Sequence, residues 1–466
     1  MSIDWKLEVE KRKEDLLADL FTMLKIESVR DESIATAEAP LGPGPKIALD
    51  KFLEIAERDG FETLELDGLA GHIEFGEGDE TLGVLAHVDV MPAGKGWDTD
   101  PFEPVIINDR IYARGSSDDK GPGIAAYYGL KIIKELGLPV SKKVRFIIGT
   151  DEESSWRGMT HYMEKMPKPD FAFSPDAFFP IINGEKGIAS IELKYAGTNG
   201  DAAKLISFES GLRTNMVPRD AEAVVEGLAL ADVEPAFAEF VAANPITGEI
   251  VERDGQLFLS VIGKAAHAQE PRLGENAGTY LATFLNQFNF GGAAANFIKV
   301  ASENLHGDSR AKGLGLEFTD EIMGDLTVNP GIFKFVAGEE GSITLNFRYP
   351  KGIDVQEILA GLEKLVAPMD VTLTLDGHAQ EPHYVSPEDP IVKTLLGVYN
   401  KQTGSNETGK VVGGGTYGRL LERGVAFGAL FPETENTMHQ ANEYMPLSDL
   451  FRSAAIYAES IYELIK

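Results

Sequence analysis

Four apolar runs in this chain end in the same way. Leu82–Ala86 delivers His87, with Asp89 two residues on. Val144–Ile148 leads to Asp151-Glu152-Glu153, and Phe171–Phe173 to Ser174-Pro175-Asp176. Much later, Val425–Leu430 precedes Met438-His439. Each run has the length and apolar character of a buried strand. In each case polar groups capable of chemistry lie just past its carboxyl end. In open α/β sheets that edge is where ligands bind. The repetition therefore predicts parallel strands whose ends converge. Helical segments lie between the runs. The stretch 122–136 starts at Pro122 and stops before Gly137, a Pro-first, Gly-after pattern typical of helices. This alternation predicts an α/β fold, a mostly parallel sheet sandwiched by helices.

The remaining segments fit around that frame. Residues 9–27 predict one amphipathic helix with Leu17, Leu20, Phe21 and Leu24 on one face. Residues 28–44 read as loop, 47–58 as helix and 61–76 as short strands. The texture changes near Gly187. Strand-like segments follow at 188–195, 205–209, 221–226, 257–262, 342–348 and 371–375. Helical ones lie at 232–243, 276–288 and 354–366. Strand runs with few helices predict an inserted α+β domain over 187–383. The first domain is then 1–186 plus 384–466, resuming with a helix at 390–402, a glycine-rich run at 413–418, a strand at 425–430 and a last helix at 448–465.

Charge and cysteine usage narrow the function. The net charge of −31 argues against nucleic acid and anionic membranes, which require a basic face. Most of that charge is accounted for by a solvated acidic surface. There is no cysteine, so any metal must be held by His, Asp and Glu. Met1 to Leu20 is charged and mixed in sign, without the apolar segment of a signal peptide. No apolar run approaches the ~20 residues of a membrane span. A cytoplasmic protein is expected.

His87 and His439 stand out among the eight histidines because both fall at the same inferred sheet edge. His, Asp and Glu together suit zinc or manganese. Asp89, two residues from His87 on an extended segment, could point the same way and orient the imidazole. Asp118-Asp119 before Lys120-Gly121-Pro122 fits either an acidic helix start or a carboxylate bridging two cations. Of Glu152 and Glu153, one could bind metal while the other acts as a base; alone, the pair would read as exposed acids in a turn. Asp176 could equally cap a turn. His87, Asp118, Glu153, Asp176 and His439 make five candidate ligands, more than the roughly three protein ligands of a single catalytic zinc. They suit two ions ~3.5–4 Å apart sharing one carboxylate.

Together, His87-Val88-Asp89, Ser117-Asp118-Asp119-Lys120-Gly121, Asp151-Glu152-Glu153, Ser174-Pro175-Asp176 and Met438-His439 resemble the five motifs of the M20 family of co-catalytic metallopeptidases, in the same order and with the same interruption. The large insertion, Gly413-Gly414-Gly415-Thr416-Tyr417-Gly418-Arg419 and Asn442-Glu443 are most similar to its bacterial dipeptidases. The resemblance implies a zinc-peptidase-like catalytic domain carrying a lid. His87, Asp118 and Asp176 would hold one metal; His439, Glu153 and the shared Asp118 the other. Zinc is the first expectation, with manganese or cobalt as alternatives. Glu152 would be the general base and acid, Asp89 would orient His87, and the Asp118–Asp119 peptide would be cis. Asn215 and His267 would face the scissile carbonyl, and Arg348 would clamp the substrate's carboxylate. On residue type alone, His267 between two alanines on a strand reads as a packed core histidine, and Arg348 as an exposed strand residue. The glycine run reads as a flexible turn, or as backbone N–H groups of Gly414 and Gly415 that could face a carboxylate.

Many family members carry an acidic residue where this chain has Tyr417; the branch of bacterial dipeptidases that the chain resembles also has Tyr there. The expected function is hydrolysis of unblocked dipeptides by a water activated between two metals. An N-acyl-amino-acid deacylase or succinyl-diaminopimelate desuccinylase is the alternative within the family, and an inactive metal-binding scaffold the alternative outside enzymes. The expected partner is a small peptide. The long insertion could cover the lid surface through which smaller relatives dimerise, so a monomer is expected.

Overall fold

The computed structural model describes residues 3–466; Met1 and Ser2 of the N-terminal stretch lie outside the described residues. The chain divides into two units. The first comprises residues up to Gly184, Tyr384–Lys410 and Gly415–Lys466; the second comprises Glu185–His383 and Val411–Gly414.

The centre of the first unit is a run of parallel strands in the order Lys143–Gly149, Thr81–His87, Phe171–Ser174 and Gly424–Ala426. Ala70–Phe75 and Glu62–Leu66 extend it antiparallel on one side. Alternation along each strand feeds two cores. Val84, Ala86, Phe146, Ile148, Phe171 and Phe173 face a large cluster that includes the helices Pro43–Arg58, Lys120–Glu135 and Leu447–Ile465. Leu85, Ile147 and Ala172 face the other side, where Met159 and Tyr162 of the helix Arg157–Lys165 pack. This is the expected α/β sandwich. Lys120–Glu135 and Leu447–Ile465 touch at Gly129, where a Cβ would stand 2.8 Å from the backbone nitrogen of Ala458. Two helices meet there backbone to backbone.

Local departures have local causes. The single helix expected over 9–27 is two, Trp5–Glu10 and Lys13–Leu24. The Arg12 guanidinium donates to the Glu8 carbonyl at 2.8 Å, taking the acceptor that a continuous helix would give to the Arg12 N–H. That N–H turns to Val9 O instead. The strand expected over 425–430 is split into Gly424–Ala426 and Ala429–Leu430 around Gly428, whose φ of 83° breaks the extended run.

The second unit is built on an eight-stranded antiparallel sheet. Its order is Thr247–Arg253, Gln256–Ile262, Asp220–Glu226, Lys204–Ser210, Thr327–Val336, Gly341–Tyr349, Gly187–Tyr195 and Val371–Gln380. Gly187–Tyr195 alternates buried and half-buried residues, as a sheet with one covered face requires. Helices Leu230–Ala243, Ala277–Leu285, Gly292–Lys299 and Val355–Val366 share its core. The edge strand Thr247–Arg253, of sequence TGEIVER, is largely exposed and charged, which blunts an open edge and hides its strand character in the sequence.

One buried group makes the first unit acid-sensitive. Tyr162 and His72 are joined at 2.8 Å through the Tyr hydroxyl and His Nδ1, so an unprotonated Nδ1 accepts from the phenol. Burial, reinforced by Arg145, pushes His72 down from 6.5 to about 4. The unfolded chain therefore binds a proton at a pH where the folded one does not. The contribution of a neutral His72 is fully present above pH 6.5, is lost as pH falls toward 4, and is gone below it. Its size is about 3 kcal/mol at most. Melting temperature measured across that window falls on acidification, and His72→Gln makes that fall shallower.

Candidate metal centre

Sheet register brings the acidic turns together. His87 pairs with Gly149, so His87 and the Asp151–Glu153 turn leave adjacent parallel strands side by side. The neighbouring strand Phe171–Ser174 delivers Asp176. Asp118 sits just before the helix Lys120–Glu135, and His439 in the loop ahead of Tyr444–Pro446. Two groups result. His87, Glu152 and Asp176 each offer a ligand atom within 4.8 Å of the others, and so do Asp118, Glu153 and His439.

Asp118 joins the two groups. Its Oδ1 lies 3.1 Å from His87 Nε2 and its Oδ2 lies 2.8 Å from His439 Nε2. His439 Nε2 is also 3.0 Å from Glu153, and His87 Nε2 is 3.6 Å from Asp176. One carboxylate thus offers an oxygen to each imidazole. The peptide after it, Asp118–Asp119, is cis.

Asp89 supports both sides of this arrangement. His87 Nδ1 donates to the Asp89 carbonyl at 3.0 Å, which leaves Nε2 facing the site. The Asp89 carboxylate lies 3.3 Å from the same Nδ1. Its two oxygens also accept the backbone N–H groups of Glu152 and Glu153, each at 3.1 Å. Orientation of His87 is therefore shared between the Asp89 backbone and its carboxylate, and the carboxylate shapes the acidic turn as well. Asp119 accepts the His87 N–H through Oδ2.

The electrostatics call for cations. Burial pushes Glu152 well above the usual carboxylate range, with Glu153 adding to it. Burial, then Asp118 and Glu152, does the same to Asp176. Burial and Asp118 push Glu153 up to about 7. Burial opposes charge on Asp118 too, but hydrogen bonds with His439 and His87 hold its carboxyl far below the usual range. Like charges forced together without solvent have two remedies, protonation or a bound cation. Oxygen and imidazole donors without sulfur suit zinc and manganese. The two groups, His87 with Glu152 and Asp176, and Asp118 with Glu153 and His439, have donor sets that fit divalent ions.

The second unit places its sequence-predicted residues in two groups. Met216 and His267 form an isolated antiparallel bridge, and the Ala268 N–H donates to Asn215 O at 2.9 Å, so Asn215 and His267 lie on paired segments. His267 is thus on a loop beyond the strand Gln256–Ile262, not within a strand, and it is not a core histidine. The Gln269 N–H donates to His267 Nδ1 at 3.1 Å, which puts the imidazole proton on Nε2. Arg348 lies on the strand Gly341–Tyr349 and is buried rather than exposed. Its Nε donates to Asn346 Oδ1 at 2.9 Å and its Nη1 to Gly413 O at 2.6 Å, which orients the guanidinium plane. Gly414 closes the second unit and Gly415 resumes the first.

Two buried residues at the centre were missed by sequence reasoning as site residues: Arg114 and Glu443. The only signal was the Asn442-Glu443 motif, and a lone acidic residue four positions after His439 has no readable role until its hydrogen bonds are seen. Among the described residues, no helix is long and apolar enough to cross a membrane.

A parallel sheet that gathers two adjoining His–carboxylate groups at its carboxyl edge defines a hydrolase that works with divalent metal. The family description "Peptidase family M20/M25/M40" matches residues 83–463, and the chain belongs to that family. It is 44% identical over 470 residues to the "Beta-Ala-Xaa dipeptidase" of Lactobacillus delbrueckii subsp. lactis, covering 100% of this chain and 99% of that one. Human carnosine dipeptidase 1 shares the fold with a TM-score of 0.59 at 13% identity, over 99% of this chain and 98% of that one. The di-peptidase Dug1p from Saccharomyces cerevisiae does so with a TM-score of 0.58 at 14% identity, over 98% of each chain.

Cation binding relieves the crowded carboxylates only in the folded state, so it stabilises that state. Protein stripped with a chelator melts at lower temperature, and adding Zn²⁺ or Mn²⁺ restores it. For one site at a free ion concentration a hundredfold above Kd the gain is about 2.7 kcal/mol. Asp118→Ala removes most of this shift in differential scanning fluorimetry.

Proposed function

We propose that this protein is a dipeptidase that hydrolyses the peptide bond of dipeptides with free amino and carboxyl ends, and that zinc is its metal. The observation that carries the reading is Asp118, whose two oxygens serve two imidazoles at 3.1 and 2.8 Å. The likeness over full length to a relative named a dipeptidase supports the substrate class. In this reading His87, Asp118 and Asp176 hold one ion, and Asp118, Glu153 and His439 the other. The first domain, 1–186 plus 384–466, is the catalytic one, and 187–383 is a lid that binds substrate. When bound, divalent ions supply Lewis acidity that lowers the pKa of water and polarises a carbonyl.

The chain's own groups do the rest. Glu152 accepts a proton from the attacking water and returns it to the leaving amine; its neighbours Asp89 and Glu153 keep it in place through the shared turn. His267, with its proton on Nε2, donates to the developing oxyanion, aided by the Asn215 side chain. Arg348 recognises the substrate's terminal carboxylate through its planar fork, aided by backbone N–H groups of Gly414 and Gly415. A carboxylate recognised at a set distance from the scissile bond selects two-residue substrates.

Glu152→Gln lowers kcat by roughly 10²–10⁴-fold with metal content unchanged. Arg348→Ala raises KM for dipeptides by roughly 10–100-fold, the loss of about 1.5–3 kcal/mol for a hydrogen bond to a charged group. A panel of dipeptides, tripeptides and N-acyl amino acids assayed with zinc-loaded enzyme checks the reading; turnover of acylated amino acids without dipeptide turnover would overturn it.

A further inference from the structure

The reaction proposed above uses neither Arg114 nor Glu443, although both are buried to within 1% of full enclosure. Glu443 Oε2 accepts from Arg114 Nη1 at 2.6 Å. Its Oε1 accepts the backbone N–H of Ser117 at 2.9 Å, the Ser117 hydroxyl at 3.0 Å and the backbone N–H of Asp118 at 3.2 Å. The carboxylate thus gathers the Ser117–Asp118 turn from behind the side chain of Asp118. Arg114 is itself held, with Nη2 near the carbonyls of Pro92 and Ala93 and its guanidinium over the Trp97 ring at 5.4 Å.

The position of Glu443 along the chain gives this bond its consequence. It lies four residues after His439, on a turn in which both His439 and Asn442 have positive φ, of 64° and 59°. Asn442 is anchored by the Asp98 N–H at 2.8 Å. The Ala113 N–H donates to the Glu443 carbonyl, and Tyr444 pairs with Tyr112. One short segment therefore carries His439 and also grips the turn that carries Asp118, the carboxylate facing His439 at 2.8 Å.

A buried Arg–Glu pair is a poor device for stability alone, because apolar replacements of like volume often serve as well or better. It is a good device for orientation. Only a carboxylate accepts from a guanidinium on one oxygen and from three further donors on the other. An amide in its place presents N–H groups either to Arg114 or to the Ser117–Asp118 turn, and cannot satisfy both.

We propose that Glu443, braced by Arg114, is a positioning residue that sets the divalent-metal affinity of this centre by holding Asp118 in register with His439. This rests on the two-metal reading above. The deciding measurement is the affinity of purified full-length protein for Zn²⁺ in competition with a chromophoric chelator, together with the visible spectrum of the Co²⁺-loaded form. Glu443→Gln weakens metal binding by roughly 10–100-fold, the usual effect of losing a group that orients a ligand. It also alters the Co²⁺ absorption bands, while the circular dichroism of the metal-free protein is unchanged. Wild-type affinity and spectrum in a folded variant overturn the proposal. If Glu443→Gln does not fold, Glu443→Asp decides. It keeps the charge opposite Arg114 but, one methylene shorter, cannot reach both sides, and the same loss of affinity is expected; wild-type affinity again overturns the proposal. A wild-type protein that takes up neither Zn²⁺ nor Co²⁺ would instead overturn the two-metal reading itself.

Discussion

Four carboxylates and two imidazoles crowd the carboxyl edge of one parallel sheet. Buried like charges are the constraint on which this structure depends. In a space with little water, Glu152, Glu153 and Asp176 all favour the protonated form, while Asp118 stays ionised because His87 and His439 flank it. Such an arrangement is not a way to gain stability. It is held by the sheet, by backbone donors and by the helices packed beneath, and protonation or bound cations relieve it.

The supports are mostly backbone hydrogen bonds to carboxylates lying outside the proposed ligand set. Asp89 takes the N–H groups of Glu152 and Glu153, Asp119 takes that of His87, and Glu443 takes those of Ser117 and Asp118. Each of these acids ties one ligand-bearing turn to another. A carboxylate used in this way satisfies buried N–H groups and fixes a turn at once. Much of the acidic sequence at the centre is therefore scaffold for the remaining acids.

The second unit answers a different need. An antiparallel sheet with one covered face offers a rigid platform, and its loops and strands hold polar side chains in defined orientations. The Gln269 N–H sets the His267 tautomer, and Asn346 with Gly413 orients Arg348. Arg348 is on a strand, where neighbours restrict it, and His267 is on a loop tied to the Asn215 segment.

Strand character was legible where one period dominated. The runs 82–86, 144–148 and 171–173 read as buried strands because both faces are covered, and those strands are parallel neighbours. The exposed edge strand Thr247–Arg253 was not legible, since it is exposed along most of its length and its three charged residues, Glu249, Glu252 and Arg253, interrupt the alternation. Nor was the break at Arg12, because a side chain competing for a backbone carbonyl leaves no trace in helix periodicity. The polar groups at the strand ends could be named from the sequence because chain order and sheet edge are linked in an α/β fold. By itself the sequence determined the chemistry available: acids and imidazoles without sulfur, at the ends of apolar runs. Only the tertiary structure decided which oxygen of Asp118 meets which imidazole, and that Glu443 stands behind it. The contacts of Asp118 with His439 and Glu443 join residues more than three hundred positions apart, and no local pattern encodes a distance that the packing of the whole sheet must set.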